Sequence, residues 1–190
     1  MSTAFIGLDY IMDIAHPSGK ISGVAGQVEQ RGIISKANQA LEMAKAKQWL
    51  NILVKVGFGK GYVEQTKNSL LFGQAHKFGA IELGTAGTDF HPDLRVDLSD
   101  IIVEKPRVSP FYCTKLEAVL RSNKISRLIV AGVSSTWAVQ STVRDAHDRD
   151  YDILVLEDAC AAATEEEHKT SMGDLGVISS IIKIENVSAL

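Results

Sequence analysis

Leu128-Ile129-Val130-Ala131-Gly132-Val133-Ser134-Ser135-Thr136-Trp137-Ala138 is the stretch on which the fold turns. It opens as a short run of branched apolar residues without alternation, the pattern of a strand covered on both faces. Gly132 allows a sharp turn, and the hydroxyls after it suit the start of a helix. Val139, Val143 and Ala146 then recur at spacings of four and three residues, placing them on one helical stripe. A buried strand that passes through a glycine into an amphipathic helix is the repeating unit of a parallel sheet.

The same unit recurs on both sides of this stretch. Ala4-Phe5-Ile6-Gly7-Leu8 closes on Asp9, and Ile52-Leu53-Val54 and Ile101-Ile102-Val103 follow. Beyond it come Ile153-Leu154-Val155-Leu156 and Ile181-Ile182. Between the runs lie helical stripes, Ile34, Ala37, Leu41 and Ala44 in one and Leu116, Val119 and Leu120 in another. Thr114 with Glu117 and Thr164 with Glu167 spell capping boxes. Strands alternating with helices predict right-handed crossovers and helices on both faces of one sheet. The expected fold is therefore α/β: a three-layer α/β/α sandwich around a mostly parallel six-stranded sheet of Rossmann-like type. The segment 57–92 is glycine-rich and poorly periodic, and is expected to contribute loops to a site.

Composition sets the outer limits. At 190 residues the chain has room for one well-cored domain, taken as 1–190. Hydrophobic residues make up 45% and charged residues 23%, which excludes a disordered or collagen-like chain. No apolar run approaches the ~18–20 residues of a membrane span. Met1-Ser2-Thr3-Ala4 runs into a strand without a basic stretch, so no signal peptide is expected and a cytoplasmic location is. A net charge of −3 offers no electrostatic footprint for nucleic acid. Two cysteines, Cys113 and Cys160, are too few for a disulfide framework or a zinc site.

In an open parallel sheet, ligands bind beyond the carboxyl ends of the strands. Those exits are Asp9, then Glu104-Lys105-Pro106-Arg107, then the stretch from Gly132 to Ala138, then Glu157-Asp158-Ala159-Cys160. Asp9 reads equally as an acid–base group or as a carboxylate pairing for structure. Lys105 stands before Pro106, which holds that exit extended; a lysine there is ordinarily solvated, and the shared sheet edge is what nominates it. Ser135 and Thr136 read as helix caps, because no histidine lies near in sequence to activate a serine. Gly57-Phe58-Gly59-Lys60-Gly61 lacks the spacing of a Walker motif and reads as a flexible loop. The histidines are scattered, so no metal is expected, and His147 and His168 read as surface or capping residues of helices. Cys113 and Cys160 read as small hydrophobes.

With these residues assembled, the chain resembles the isochorismatase-like hydrolase superfamily, which includes isochorismatases, nicotinamidases and carbamoyl-amide hydrolases. The resemblance rests on Phe5-Ile6-Gly7-Leu8-Asp9, on Ile102-Val103-Glu104-Lys105-Pro106-Arg107 with Ser109-Pro110-Phe111, and on the stretch from Leu128 through Ser141-Thr142-Val143-Arg144-Asp145-Ala146 to Glu157-Asp158-Ala159-Cys160-Ala161. It implies a catalytic Asp–Lys–Cys triad in which Asp9 and Lys105 are present and Ala138 occupies the cysteine position. It also implies a cis peptide between Val133 and Ser134, and a homo-oligomer.

The alanine controls the expected chemistry. The resemblance implies a hydrolase acting on a small molecule without a thiol, with Asp9 as general acid and base and Lys105 as its electrostatic partner. Two alternatives stand beside it: a C–N amidohydrolase whose cysteine at 138 is lost or replaced, and a silent binding or assembly protein on the same scaffold. Val133, Ser134, Trp137 and Phe111 are the expected substrate contacts, Trp137 because it stands beside the vacated position. No cofactor is expected. After Asp9 the chain reads Tyr10-Ile11-Met12-Asp13, where many relatives carry Gln-Asn-Asp, so the usual polar substrate contacts are partly absent.

Overall fold

The computed structural model describes residues 2–190. Six strands, β1 (Thr3–Leu8), β2 (Leu50–Val56), β3 (Ile101–Lys105), β4 (Arg127–Val133), β5 (Asp152–Ala161) and β6 (Ser180–Ile182), form one sheet. Their order is β3-β2-β1-β4-β5-β6, and each neighbouring pair is parallel. The helices are α1 (Met12–Ala15), α2 (Ala25–Gln30), α3 (Ile33–Ala46), α4 (Ala75–Phe78), α5 (Leu116–Ser122), α6 (Gln140–His147), α7 (Glu165–Leu175) and α8 (Ile184–Val187).

The chain steps from β1 outward to β3, then returns past β1 and steps the other way to β6. Right-handed crossovers put α3 on one face and α5, α6 and α7 on the other, which gives the three layers. β1 is buried along its whole length and β4 from Leu128 onward, which is why neither run alternates. On α3, Ile34, Ala37, Leu41 and Ala44 all face the core, as their spacing predicts. None of the helices among the described residues is long and apolar enough to cross a membrane.

The two predicted caps divide. Thr164 and Glu167 form the reciprocal capping box that opens α7. Thr114 forms none. Its Oγ1 accepts from the Leu116 N–H at 3.0 Å, while Glu117 turns to Arg121 and Arg149. Two arginines offer Glu117 a stronger, charge-assisted alternative to a single backbone amide.

The segment 57–92 has a hydrophobic cluster of its own, in which Phe58, Tyr62, Ala75, Ala80 and Ile81 pack with Ile11 and Val56. It is a packed flap rather than a slack loop. Its closing tie is Asp13, whose Oδ2 accepts from the Ile81 N–H at 2.7 Å and whose Oδ1 accepts from the Lys20 N–H at 3.2 Å. The reversal of strand order between β1 and β4 opens a crevice at the carboxyl edge, and this flap walls one side of it.

Candidate active site

Asp9 follows the last residue of β1 in the left-handed region, φ +56°, a conformation that aspartate tolerates better than most side chains. Its N–H donates to the Val54 carbonyl at 2.9 Å, so the strand ladder holds the turn in place. The carboxylate is buried. Its Oδ1 accepts from the Val56 N–H at 2.8 Å, and its Oδ2 lies 2.7 Å from Lys105 Nζ.

Lys105 ends β3, two strands from β1 and in register with Val56 at the end of β2, and its ammonium reaches Asp9. It is buried to 1% exposure, which corrects the ordinary reading of a solvated lysine. Besides Asp9 it donates to the Val108 carbonyl at 2.6 Å, leaving one ammonium proton unassigned. Burial raises the Asp9 pKa above its ordinary value of 3.8, against the opposing pull of Lys105 and the Val56 amide. A carboxyl in that condition holds a proton at a pH where a solvated aspartate has lost it.

The third component is the turn after β4. The Val133–Ser134 peptide is cis, at the position the resemblance implies. Gly132 has φ +148°, and a Cβ there would lie 2.5 Å from the Leu8 carbonyl oxygen and Cβ, so only glycine lets β4 pass this close to the β1 exit. A π-helical turn, Ser135–Val139, follows and leads into α6; the Val139 N–H reaches back to the Ser134 carbonyl at 3.2 Å. Ala138 sits on this turn, 3% exposed.

Asp9, Lys105, Val133, Ser134, Trp137 and Ala138 all line one cavity of about 330 Å³. Its remaining wall is mostly apolar and comes from the flap and from the segment around α1, including Ile21, Leu71, Phe72 and Phe78. Trp137 is 55% exposed, so it forms rim rather than core. Ser134 Oγ and Thr136 Oγ1 are buried at the cavity wall without a hydrogen-bond partner. The sequence marks Thr136 only as a cap, and its one signal for a wall position is its place beside Trp137.

Phe111 departs from expectation. It lies outside the cavity lining, buried with its ring 6.2 Å from Tyr151 and 4.7 Å below the Arg149 guanidinium. An aromatic–cation stack of this kind retains a ring that neighbourhood in sequence had assigned to the pocket. Gly59 and Gly61 direct their N–H groups to Glu64 and Glu82, so carboxylates of the chain itself hold the amides that a phosphate would need. Cys160 is fully buried with its thiol pushed up to about 12, and Cys113 is exposed. Among the described residues no three His, Cys, Asp or Glu side chains converge on a metal position.

The cap reading of Ser135 is also corrected. Ser135 makes no cap bond; its Oγ lies 2.8 Å from Nδ1 of His168, on α7. His168 is 1% exposed, not on the surface as its helical setting suggested. Its Nε2 lies 2.9 Å from Arg31 Nη2 and 3.5 Å from Glu157 Oε1. Ser135 does not line the cavity, so the pair is a buttress behind the turn and not a nucleophile with its base. Sequence separation alone hid it.

The pattern of the Isochorismatase domain family matches residues 3–182. A ureidoacrylate amidohydrolase RutB of Acinetobacter baylyi is 38% identical over 93 residues, covering 47% of this chain and 38% of the relative. A protein of Arabidopsis thaliana named "Probable inactive nicotinamidase" is 28% identical over 180 residues, covering 92% of this chain and 88% of its own. The chain spans less than two thirds of the length of the first curated relatives, 38% of one and 41% of the next. Among solved structures, an isochorismatase family protein from Desulfovibrio vulgaris superimposes with TM-score 0.86 at 20% identity, covering 99% of this chain and 97% of that one. An N-carbamoylsarcosine amidase from Thermoplasma acidophilum does so with TM-score 0.77 at 21% identity, covering 97% and 98%. At these identities the structural likeness speaks for the fold.

Proposed function

The chain belongs to the isochorismatase family, and from that premise we propose that it is a thiol-independent hydrolase of a small molecule. In this reading Asp9 moves the proton and Lys105 holds the charge beside it. The carrying observation is the buried Asp9–Lys105 pair, 2.7 Å apart, opening onto a cavity in which position 138 is alanine.

The chemistry follows from what the wall offers. Ala138 brings no nucleophile, and neither Ser134 Oγ nor Thr136 Oγ1 has a base beside it. Water is then the nucleophile. Protonated Asp9 donates to the leaving atom of the substrate as its bond to carbon breaks. Water adds at the electron-poor carbon and returns a proton to the Asp9 carboxylate, which restores the acid. The raised Asp9 pKa supports the first half-step and the Lys105 ammonium the charged state between the two. From the same family membership we propose a cytoplasmic homo-oligomer, the assembly being read by light scattering.

Asp9→Asn tests the mechanism. Asparagine can still accept from the Val56 amide but cannot carry the proton, so turnover of vinyl ethers, esters and amides should fall by about 10²-fold or more. Turnover unchanged in the folded variant overturns the reading. A second reading, a binding protein that kept the scaffold, is favoured by the lack of any nucleophile–base pair on the cavity wall among the described residues. Ligands that stabilise the wild-type chain without ever being converted would select it.

A further inference from the structure

The cavity wall at Ala138 depends on one turn, and that turn is loosely bonded to itself. Ser135–Val139 is a single π-helical turn, and Ser134 in front of it makes no side-chain cap bond. The Trp137 and Val139 N–H groups reach the Ser134 carbonyl at 3.3 and 3.2 Å, at or beyond the long end of the usual range. The hydroxyls on the cavity side, Ser134 Oγ and Thr136 Oγ1, have no partner to tie them down. Two side-chain bonds hold the turn from behind. Thr142 Oγ1 donates to the Ala138 carbonyl at 2.6 Å, a bond to the turn's own continuation in α6. Ser135 Oγ crosses to another element, reaching His168 Nδ1 on α7 at 2.8 Å.

His168 is bonded at both ring nitrogens, which leaves the buried ring one orientation. Opposite Ser135, its Nε2 lies 2.9 Å from Arg31 Nη2. Arg31 closes the C-terminus of α2, its N–H on the Gln27 carbonyl, and Glu157 on β5 stands 3.6 Å from the same Nη2. The elements that meet on this ring also carry pieces of the cavity wall. Gly23 and Val24 lead into α2, Glu167 precedes His168 on α7, and Thr136, Trp137 and Ala138 lie on the turn.

We propose that His168 is a positioning residue, which through Ser135 fixes the turn so that Trp137 and Ala138 face the cavity. His168 itself lies outside the lining, so any effect on a bound molecule passes through the turn. A turn with long internal bonds shifts when its external bond is removed, and a displacement of about 1 Å at a reacting site can cost about 10²-fold in turnover.

This inference rests on the cavity being the ligand site proposed above, and a reporter that needs no ligand keeps the two readings separable. Trp137 is that reporter. The chain has two tryptophans, so Trp49→Phe leaves the indole on the turn to fluoresce alone. In that background His168→Asn can still bond Ser135, its amide taking the place of Nδ1, but loses Arg31. His168→Gln does the reverse, its amide taking the place of Nε2. Each loses one buried bond, so their melting temperatures should fall alike. Their emission should differ: His168→Asn keeps the parent emission maximum and acrylamide quenching, while His168→Gln and Ser135→Ala shift both in the same direction. Turnover of vinyl ethers, esters and amides should follow the emission and not the melting temperature. It should fall by about tenfold or more in His168→Gln and Ser135→Ala and stay near the parent value in His168→Asn. Parent-like emission in all three variants, an equal shift in His168→Asn and His168→Gln, or turnover that tracks melting temperature would each overturn the inference. A parent chain that converts nothing sinks the hydrolase reading, and the emission then decides this one by itself.

Discussion

Ser135 and His168 meet at 2.8 Å across 33 residues of chain, and their bond ties α7 to the turn that carries Ala138. The proton positions follow from the third partner. The Arg31 guanidinium can only donate, so His168 Nε2 accepts from it and the neutral ring keeps its proton on Nδ1, aimed at Ser135 Oγ. Burial, and then Arg31, hold the His168 pKa below its ordinary 6.5.

His168→Ala should therefore destabilise the fold by about 1–3 kcal/mol, because Ser135 Oγ and the Arg31 side chain both lose a buried partner. The pH dependence has a definite sign. The unfolded ring gains its proton near 6.5 and the folded ring only at lower pH, so the unfolded state binds more protons in that interval. The contribution of this ring to stability is complete above pH 6.5 and is lost as pH falls toward the folded pKa. Urea unfolding at a series of pH values should show that slope in the wild type and its loss in His168→Ala; an unchanged slope would place the acid sensitivity elsewhere.

The contrast between this buttress and the Asp9 exit shows what a sequence carries. Short branched runs such as Ile52-Leu53-Val54 are legible because burial on both faces leaves no polar position to confuse the period. Strand exits are legible in turn, since a parallel sheet with a reversal in order has one carboxyl-edge crevice, and Asp9, Lys105 and the turn after Gly132 all fall at it. His168 was not legible because a helical histidine advertises its own helix and nothing of the chain it faces. Phe111 was misplaced for the related reason that Arg149 and Tyr151, which hold it, stand more than a helix away in sequence. The flap over 57–92 was placed at the site by its lack of period, but its cluster around Phe58 and Tyr62 is a tertiary fact.

The raised Asp9 pKa gives the reaction a pH signature. If the protonated carboxyl is the acid, kcat/KM stays high below the folded pKa and falls as pH rises through it. Because burial moves that pKa upward, the fall should lie above the ordinary carboxylate range near 3.8. Stability carries the same sign: the contribution of this group is complete below 3.8 and is lost as pH rises through the folded value. A kcat/KM that rises as pH climbs out of the acid range, or that shows no fall at any higher pH at which the fold persists, would exclude Asp9 as the proton donor.

Ala138→Cys asks whether a thiol is the missing part of an amidase. Position 138 is buried in the main core cluster and also lines the cavity, so a sulfur that takes up cavity space should change stability by about 1 kcal/mol. In a Cys113→Ser background it should react with iodoacetamide while Cys160, buried with its thiol at about 12, stays inert. Carboxamide and ureide turnover should then rise above wild type. A folded, labelled variant with no turnover of nicotinamide or any ureide would show that more than the thiol separates this chain from the amidases.

Trp137 distinguishes rim from core. At 55% exposure on the π-helical turn, its indole contributes little to folding, so Trp137→Ala should alter stability by no more than about 0.5 kcal/mol. It lines the cavity together with the flap residues Leu71 and Phe78, an apolar surface suited to the body of a small ligand. Removing the indole should weaken binding of a small aromatic probe such as benzamide by about tenfold, the equivalent of about 1.4 kcal/mol of lost apolar contact. Denaturation and calorimetry on the same preparation separate the two roles. A large loss of stability with affinity unchanged in the folded fraction would make Trp137 a packing residue and leave the rim to Phe78 and Leu71.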